Sequence, residues 1–351
     1  MRPSAVSIGL AAALTALACG GDDGSSNDGG PVDDGGPRPD AGGLGDGAPG
    51  IDANPDQPSW QTLGDIPFPV QETAVVALDY RLYVLGGIDG SLAARADVQQ
   101  FVQKFSEEWT ETVSLPLPVH HVNAAVVDGR IYVVGSLLAS FEPTGDVWSW
   151  APGDQEWNVG ASMPPGSERG AAAVGVVDGR IVVAGGLDGT SSDLVSAYDP
   201  VADEWDVDLP ALPARIDHGT GQVVDGIFYV IGGRTDDTDG NSSAVWALVD
   251  GVWEERAPMP TARGGIASGV LDGKIAVVGG EGNDDDPSGV FPQAELYDPA
   301  TDEWTALPDM PTPRHGMGAA VSEGGDQLYV PGGATRETFG AVATFEALYV
   351  P

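Results

Sequence analysis

Short hydrophobic runs separated by turn residues recur from residue 59 to the end of the chain. Small-residue runs such as Ala124–Val127 lead into Asp-Gly pairs such as Asp128-Gly129, and longer hydrophobic runs such as Ile131–Val134 follow. Asp-Gly pairs favour the type I′ turns of tight β-hairpins. No long helix-forming run with a 3.6-residue period interrupts the pattern. The pattern therefore predicts an all-β fold assembled from hairpins.

The hairpin pattern belongs to a longer repeat that is marked by tryptophan. Successive markers lie 48 to 51 residues apart and each is followed, seven or eight residues later, by a proline. The markers are Trp60, Trp109, Trp157, Trp205, Trp253 and Trp304. Five units also carry a glycine pair after the hydrophobic strand, and the second unit has Gly135-Ser136 instead. A period of this length predicts one supersecondary unit per repeat.

Each unit resembles the kelch repeat, in which four strands carry a glycine pair after the second strand. Tyr198 and Tyr297, each seven residues before its tryptophan, match the aromatic position of that repeat, whereas the first unit has Val102 there. The resemblance covers residues 59–351 in six units and implies a six-bladed β-propeller.

The two ends of this region are expected to meet in one blade. The sixth unit ends before its own tryptophan, and Trp60 has no first three strands before it. We therefore expect residues 59–67 to supply the fourth strand of blade 6 and to close the ring. The predicted bounds of blades 1 to 6 are 68–116, 117–164, 165–213, 214–260, 261–311 and 312–351.

The first 58 residues have a different composition and predict export. Residues 1–18 have the charge and the short apolar run of a signal peptide, too short to cross a bilayer. They end in Ala16-Leu17-Ala18-Cys19-Gly20, which resembles the lipobox of bacterial lipoproteins and implies lipidation of Cys19, the only cysteine. Ala16 and Ala18 also suit an ordinary signal peptidase. Residues 19–58 are mostly Gly, Asp, Pro, Ser, Asn and Ala, which predicts a disordered tether.

These features predict an exported protein that is lipid-anchored to the bacterial envelope, at the outer membrane or cell surface, or else periplasmic. The formal net charge of −38 repels nucleic acid and anionic lipid, so we expect no nucleic-acid partner and membrane contact through the anchor alone. We expect a monomer without a cofactor. The common hydrolase, zinc-protease and P-loop motifs are absent from the sequence.

Candidate binding residues lie in the loops between one blade and the next, because first strands line the central channel of a propeller. These candidates are His120, His121, Arg169, Arg215, His218, Arg263, Arg314 and His315, and the first blade has Gln71 and Glu72 there. The arginines suit either an anionic ligand at the channel mouth or ion pairs between blades without a ligand.

Two loops that follow glycine pairs are acidic and are expected on the same face. Their carboxylates are Asp236, Asp237, Asp239, Asp284, Asp285 and Asp286. Such groups suit Ca²⁺, but neither loop has EF-hand spacing, so solvated acidic loops are favoured and no metal is predicted.

The sequence favours a binding or adhesion module for a protein or glycan ligand at the channel mouth. Two alternatives remain open: a carbohydrate-processing isomerase resembling the sialic-acid mutarotases, which are six-bladed kelch propellers, and a non-catalytic assembly scaffold.

The anchor can be tested by Cys19→Ala. We expect the variant to leave the membrane fraction for the periplasm or medium with an unchanged circular dichroism spectrum, because only the lipid attachment site is removed. Fractionation followed by immunoblotting measures this. A variant that still sediments with membranes rules out lipidation at Cys19.

Overall fold

The computed structural model describes residues 56–103 and 108–351, which form 29 β-strands and one 3₁₀ turn at Thr238–Gly240. The predicted signal peptide, Cys19 and the predicted tether up to residue 55 lie outside the described residues. No helix within the described ranges has the length and apolar character needed to cross a membrane.

The strands are short and follow one another closely along the chain. The first are β1 (Ser59–Thr62), β2 (Val70–Gln71), β3 (Ala74–Leu78), β4 (Arg81–Leu85), β5 (Ile88–Asp89), β6 (Val98–Val102) and β7 (Trp109–Glu111). The next are β8 (Val119–His120), β9 (Ala124–Val127), β10 (Arg130–Leu138), β11 (Pro143–Trp150), β12 (Asn158–Gly160), β13 (Ala173–Val177), β14 (Arg180–Ala184), β15 (Val195–Asp199) and β16 (Glu204–Asp206). Then come β17 (Thr220–Val224), β18 (Ile227–Ile231), β19 (Val245–Val249), β20 (Val252–Glu255), β21 (Ala267–Leu271) and β22 (Lys274–Val278). The last are β23 (Glu281–Asn283), β24 (Gly289–Val290), β25 (Ala294–Asp298), β26 (Glu303–Ala306), β27 (Ala320–Val321), β28 (Gln327–Pro331) and β29 (Phe345–Tyr349).

Six antiparallel blades account for most of these strands. In order they are β3-β4-β6-β7, β9-β10-β11-β12, β13-β14-β15-β16, β17-β18-β19-β20, β21-β22-β25-β26 and β27-β28-β29-β1. The first strands of successive blades contact one another around a complete circle, and β27 returns to β3. The predicted six-bladed propeller is therefore confirmed, and its first strands surround a central channel.

The closing strand lies where the repeat count predicts it. Strand β1 pairs antiparallel with β29, and Trp60 is opposite Leu348. The Leu63 N–H also donates to the Phe345 carbonyl oxygen at 2.8 Å. The ring is thus closed by a strand from the N-terminal end joining the last blade.

Hydrophobic side chains fill the spaces between neighbouring blades. Six buried clusters occupy the six interfaces within the described ranges, as where Tyr83 and Leu85 of blade 1 meet Trp148 and Trp150 of blade 2.

Five of the six repeated tryptophans add a hydrogen bond across these interfaces, and Trp109, whose buried indole N–H has no hydrogen-bond partner among the described residues, is the exception. The indole N–H of Trp157 donates to Val113 in the preceding blade at 3.0 Å, and Trp60 donates to Pro308 at 2.8 Å. Trp205, Trp253 and Trp304 make equivalent bonds. The tryptophan that marks the repeat therefore also connects blades.

Three predicted channel-mouth arginines are instead buried inside their own blades. The guanidinium of Arg263 donates to the carbonyl of Gly279 at 2.7 Å and to the Glu295 carboxylate at 2.5 Å. Arg314 makes the same arrangement with Gly332 and Glu346. Burial lowers the pKa of Arg314 to about 10, although Glu346 opposes that shift.

Arg169 is equally buried and donates to the carbonyls of Gly185 and Val183 and to Ser196. Ion pairs between blades are one of the two roles predicted for these arginines. The structure instead gives the three arginines contacts within their own blade. Because each guanidinium is already fully engaged with its own second and third strands, none of the three is available to a ligand at the mouth.

The closing strand can be tested by truncation. Deletion of residues 20–66 should lower the melting temperature and cause aggregation, because it removes β1 and leaves the edge of β29 unpaired. Deletion of residues 20–56, which keeps β1, is the matched control and should melt like the full chain. Thermal circular dichroism with light scattering measures both. Equal melting temperatures would contradict closure by β1.

The buried arginines can be tested by Arg263→Ala and Arg314→Ala. Each should lower the free energy of unfolding by about 3–5 kcal/mol, because a buried glutamate loses its partner. The control is Arg215→Ala, an arginine in the equivalent loop of blade 4 that stands one position earlier in the repeat. Arg215 is exposed and donates only to Ser191 and Thr190, so its loss should cost less than about 1 kcal/mol. Urea unfolding measures the free energy of unfolding of the three variants. Similar losses in all three would refute the assignment of Arg263 and Arg314 as buried structural residues.

Candidate functional site

A closed ring of six backbone hydrogen bonds surrounds the channel just before the first strands. One residue from each blade takes part: Glu72, His121, Ala171, His218, Gly265 and Gly316. The N–H of each donates to the carbonyl oxygen of the ring residue in the preceding blade, at 2.8–3.0 Å in five cases, and the sixth bond joins Glu72 to Gly316. All six have left-handed φ angles, between 51° and 65°.

Three ring side chains converge on the channel axis. The Nε2 atoms of His121 and His218 lie 3.5 and 3.8 Å from Oε2 of Glu72. The other ring residues are small, and a Cβ added to Gly316 would collide with the Glu72 carboxylate. The small residues therefore leave space for the glutamate and the two imidazoles.

Further polar groups hold the two imidazoles in place. Nδ1 of His218 makes a short contact with the Asp217 carboxylate, which also accepts a hydrogen bond from Nε of Arg234 at 3.1 Å. Arg234 bridges to Glu281 at 2.5 Å. Burial opposes ionisation of Asp217, but the hydrogen bond from His218 and the charges around it bring the pKa of Asp217 down to about 2.

The remaining histidines flank this group. Nδ1 of His120 lies 2.5 Å from Nδ1 of His121, and burial holds the pKa of His121 well below its usual value. Nε2 of His315 donates to the Arg336 carbonyl at 2.8 Å. Its Nδ1 is buried without a hydrogen-bond partner, 3.3 Å from Glu281 and 3.8 Å from Glu72.

The cluster separates two cavities. A cavity of about 280 Å³ at the mouth is lined by loop residues that include Phe141, Arg234 and Phe339. A channel cavity of about 200 Å³ is lined by first-strand residues such as Gln222 and Ser268. Glu72, His121 and His218 line both cavities, so they form a polar plug between the mouth and the channel.

The structure brings together only part of the predicted site. His121 and His218 line the channel, His120 and His315 flank them, and Arg215 lines neither cavity. Asp236 and Asp237 line the mouth, whereas Asp239, Asp284, Asp285 and Asp286 are exposed. In the part of the chain that the structure describes, the compact group of potential metal ligands is Glu72, His121 and His218, not the acidic loops.

Sequence reasoning missed Asp217, Arg234 and Glu281. Arg234 and Glu281 directly follow glycine pairs, at positions where other blades have an apolar residue: Ile88, Leu187 and Ala334. A charge at this otherwise apolar position is the signal that identifies them.

Comparison with known proteins supports the repeat assignment. Residues 168–207 and 262–311 match the Kelch motif family model. The chain is 38% identical over 291 residues to Kelch-like protein terF of Aspergillus terreus, covering 78% of this chain and 62% of that protein. It is 37% identical over 135 residues to human Kelch-like protein 33, covering 37% of this chain and 24% of that protein.

The chain thus spans less than two thirds of the length of these curated relatives. The solved structure of YjhT superposes with a TM-score of 0.66 at 16% identity, covering 82% of this chain and 95% of YjhT, which supports the fold. Family model, relatives and fold agree that the described residues form a six-bladed β-propeller of kelch repeats.

Proposed function

We propose that this chain is an exported binding module that holds a basic segment of a protein partner at the channel mouth. Kelch propellers generally bind protein partners. Export and lipid anchoring are part of the proposal and depend on the sequence of residues 1–58 alone. The observation that supports the binding site best is the composition of the mouth, which combines acidic groups with half-exposed aromatic rings.

The charge of the mouth favours a cationic ligand over an anionic one, which is one of the two interpretations that the arginines in the sequence allow. Arg234 is already paired with Asp217 and Glu281. Asp236, Asp237 and Glu337 also line the mouth cavity. With Arg169, Arg263 and Arg314 buried in their blades, negative charge dominates here, and it attracts lysine and arginine side chains.

Apolar contact would come from the rim of the same face. Phe141 and Phe339 line the mouth and are 46% and 38% exposed. Phe339 also lines a neighbouring groove of about 320 Å³ with Leu92 and Arg336. Large apolar side chains that stand exposed around a polar cavity are typical of interface hot spots. The mouth and the groove together suit an extended segment rather than a single side chain.

The backbone of these loops is held in unusual conformations. Leu92, Phe141, Asp236 and Thr338, from four different blades, all have left-handed φ angles between 63° and 68°. Such conformations are costly for non-glycine residues and cluster at ligand-binding sites. Their occurrence in loops around the mouth supports a binding role for this face.

Binding can be tested with synthetic peptides of matched length that are basic, acidic or neutral and each contain one aromatic residue. We expect the basic peptides to bind the full chain and the affinity to fall as salt is raised. Phe141→Ala combined with Phe339→Ala should weaken binding at least tenfold, because two rim contacts are removed. Fluorescence anisotropy measures the affinity.

The matched control is Val201→Ala combined with Val252→Ala, two exposed apolar residues that line none of these cavities. The control should bind like the unmodified protein. Preference for acidic peptides, or binding that the Phe141 and Phe339 substitutions leave unchanged, would refute the proposed site. Binding on a glycan array without peptide binding would favour a carbohydrate ligand instead.

A further inference from the structure

We propose that Glu72, His121 and His218 form a binding site for a divalent transition-metal ion at the centre of the propeller. Their donor atoms all lie within 4.8 Å of one another and their side chains are buried. The three residues line the inner end of the mouth cavity that the proposed function uses, but they imply a metal ion as ligand rather than a peptide.

The separations within the group suit metal ligands better than hydrogen-bond partners. The 3.5 and 3.8 Å distances from Glu72 Oε2 to the two Nε2 atoms exceed the usual 2.7–3.2 Å of an N–H···O bond. Ligands bound tetrahedrally at about 2.0–2.1 Å from zinc stand about 3.3 Å apart. Small adjustments of the buried side chains would therefore close the site around an ion.

The contacts behind the imidazoles are those that orient metal-binding histidines. Such histidines commonly donate their other ring N–H to a carboxylate, which fixes the tautomer. Asp217 takes this position on Nδ1 of His218, and the Nε2 atom then faces Glu72 and lies 3.4 Å from Nη2 of Arg234, which a bound ion would displace. His120 occupies the corresponding place behind His121. Asp217 is therefore a positioning residue for His218.

His315 lies beside this group and brings a further buried nitrogen close to Glu72. Nε2 of His315 donates to a backbone carbonyl, and Nδ1 is therefore the ring atom that faces the carboxylates. That atom is buried without a hydrogen-bond partner and faces the carboxylates of Glu281 and Glu72. Glu281 also accepts hydrogen bonds from the Thr338 N–H and from Arg234, so positive charge beside this carboxylate is already favoured in the structure.

The local charge has the right sign and size for a divalent ion. Glu72, Asp217 and Glu281 carry three negative charges, and Arg234 supplies one positive charge, which leaves two negative charges when the histidines are neutral. Two imidazoles and one carboxylate suit Zn²⁺ and its first-row neighbours rather than Ca²⁺ or Mg²⁺. Three protein ligands leave a coordination position open toward the cavities that the group lines.

The proposal is tested on the full chain after treatment with a chelator, by calorimetric titration with ZnCl₂. We expect one saturable equivalent of Zn²⁺ and a higher melting temperature. Glu72→Gln and His121→Asn should each lower the affinity at least tenfold, because each removes one ligand. Asp217→Asn should lower it tenfold to a hundredfold, as substitutions behind a metal ligand typically do.

The control is Asp284→Asn combined with Asp286→Asn, which removes two acidic groups from an exposed loop. It should leave Zn²⁺ affinity unchanged, whereas a loss equal to that of Glu72→Gln would indicate diffuse attraction to the acidic surface and overturn the proposal. Absence of a saturable equivalent in natively folded protein would also overturn it, as would equal affinity for Ca²⁺ or Mg²⁺.

A second measurement does not depend on the variants folding. The chain has four histidines, so their ring nitrogens can be followed individually by ¹⁵N NMR during addition of Zn²⁺. We expect the Nε2 signals of His121 and His218 to shift strongly at one equivalent. Unchanged Nε2 signals for both at excess Zn²⁺ would refute the site.

Discussion

The rest of the structure depends on the circle of backbone hydrogen bonds around the channel. Each of its six N–H groups reaches the preceding blade only because its own residue has a left-handed φ, and all six residues meet that condition. Gly265 and Gly316 adopt this conformation at little cost, whereas Glu72, His121, Ala171 and His218 do so at a cost that the fold must offset. The same circle fixes where the side chains of its four non-glycine residues can point. The backbone geometry of the ring is thus the same in all six blades, whereas the residue that each blade places at the axis differs in chemistry.

Blade contacts of two kinds support this circle from outside. Hydrophobic clusters fill every interface among the described blades, and the indole of a repeated tryptophan such as Trp157 bonds to the blade before it. Within a blade, Arg263 and Arg314 fasten the entering loop to the second and third strands. The propeller therefore separates its functions by position. Structural charges are buried inside the blades, and the groups that remain open to a ligand lie at the axis and the rim.

The sequence predicts the fold well because each blade corresponds to one repeat of the same sequence pattern. The tryptophan register alone places β1 in the last blade, which the pairing of Trp60 with Leu348 confirms. It also identifies the loops that reach the channel, but a loop position does not say whether a side chain turns inward or outward. Arg169, Arg263 and Arg314 stand two residues before the ring residue of their blade and are buried, whereas Arg215 stands three residues before His218 and is exposed. Arg234 and Glu281 come from other loops, and their meeting with Asp217 is a property of the assembled ring.

Closure by β1 has a mechanical consequence. A force applied through residues before Ser59 acts first on β1, the strand that completes the ring. In this strand Ser59 lies opposite Tyr349 and Thr62 lies opposite Glu346. Force applied at Ser59 across the strands meets these pairs one after another, so the strand resists that force by unzipping rather than by shearing. The seam by which the ring closes is therefore also the place where tension would first open it.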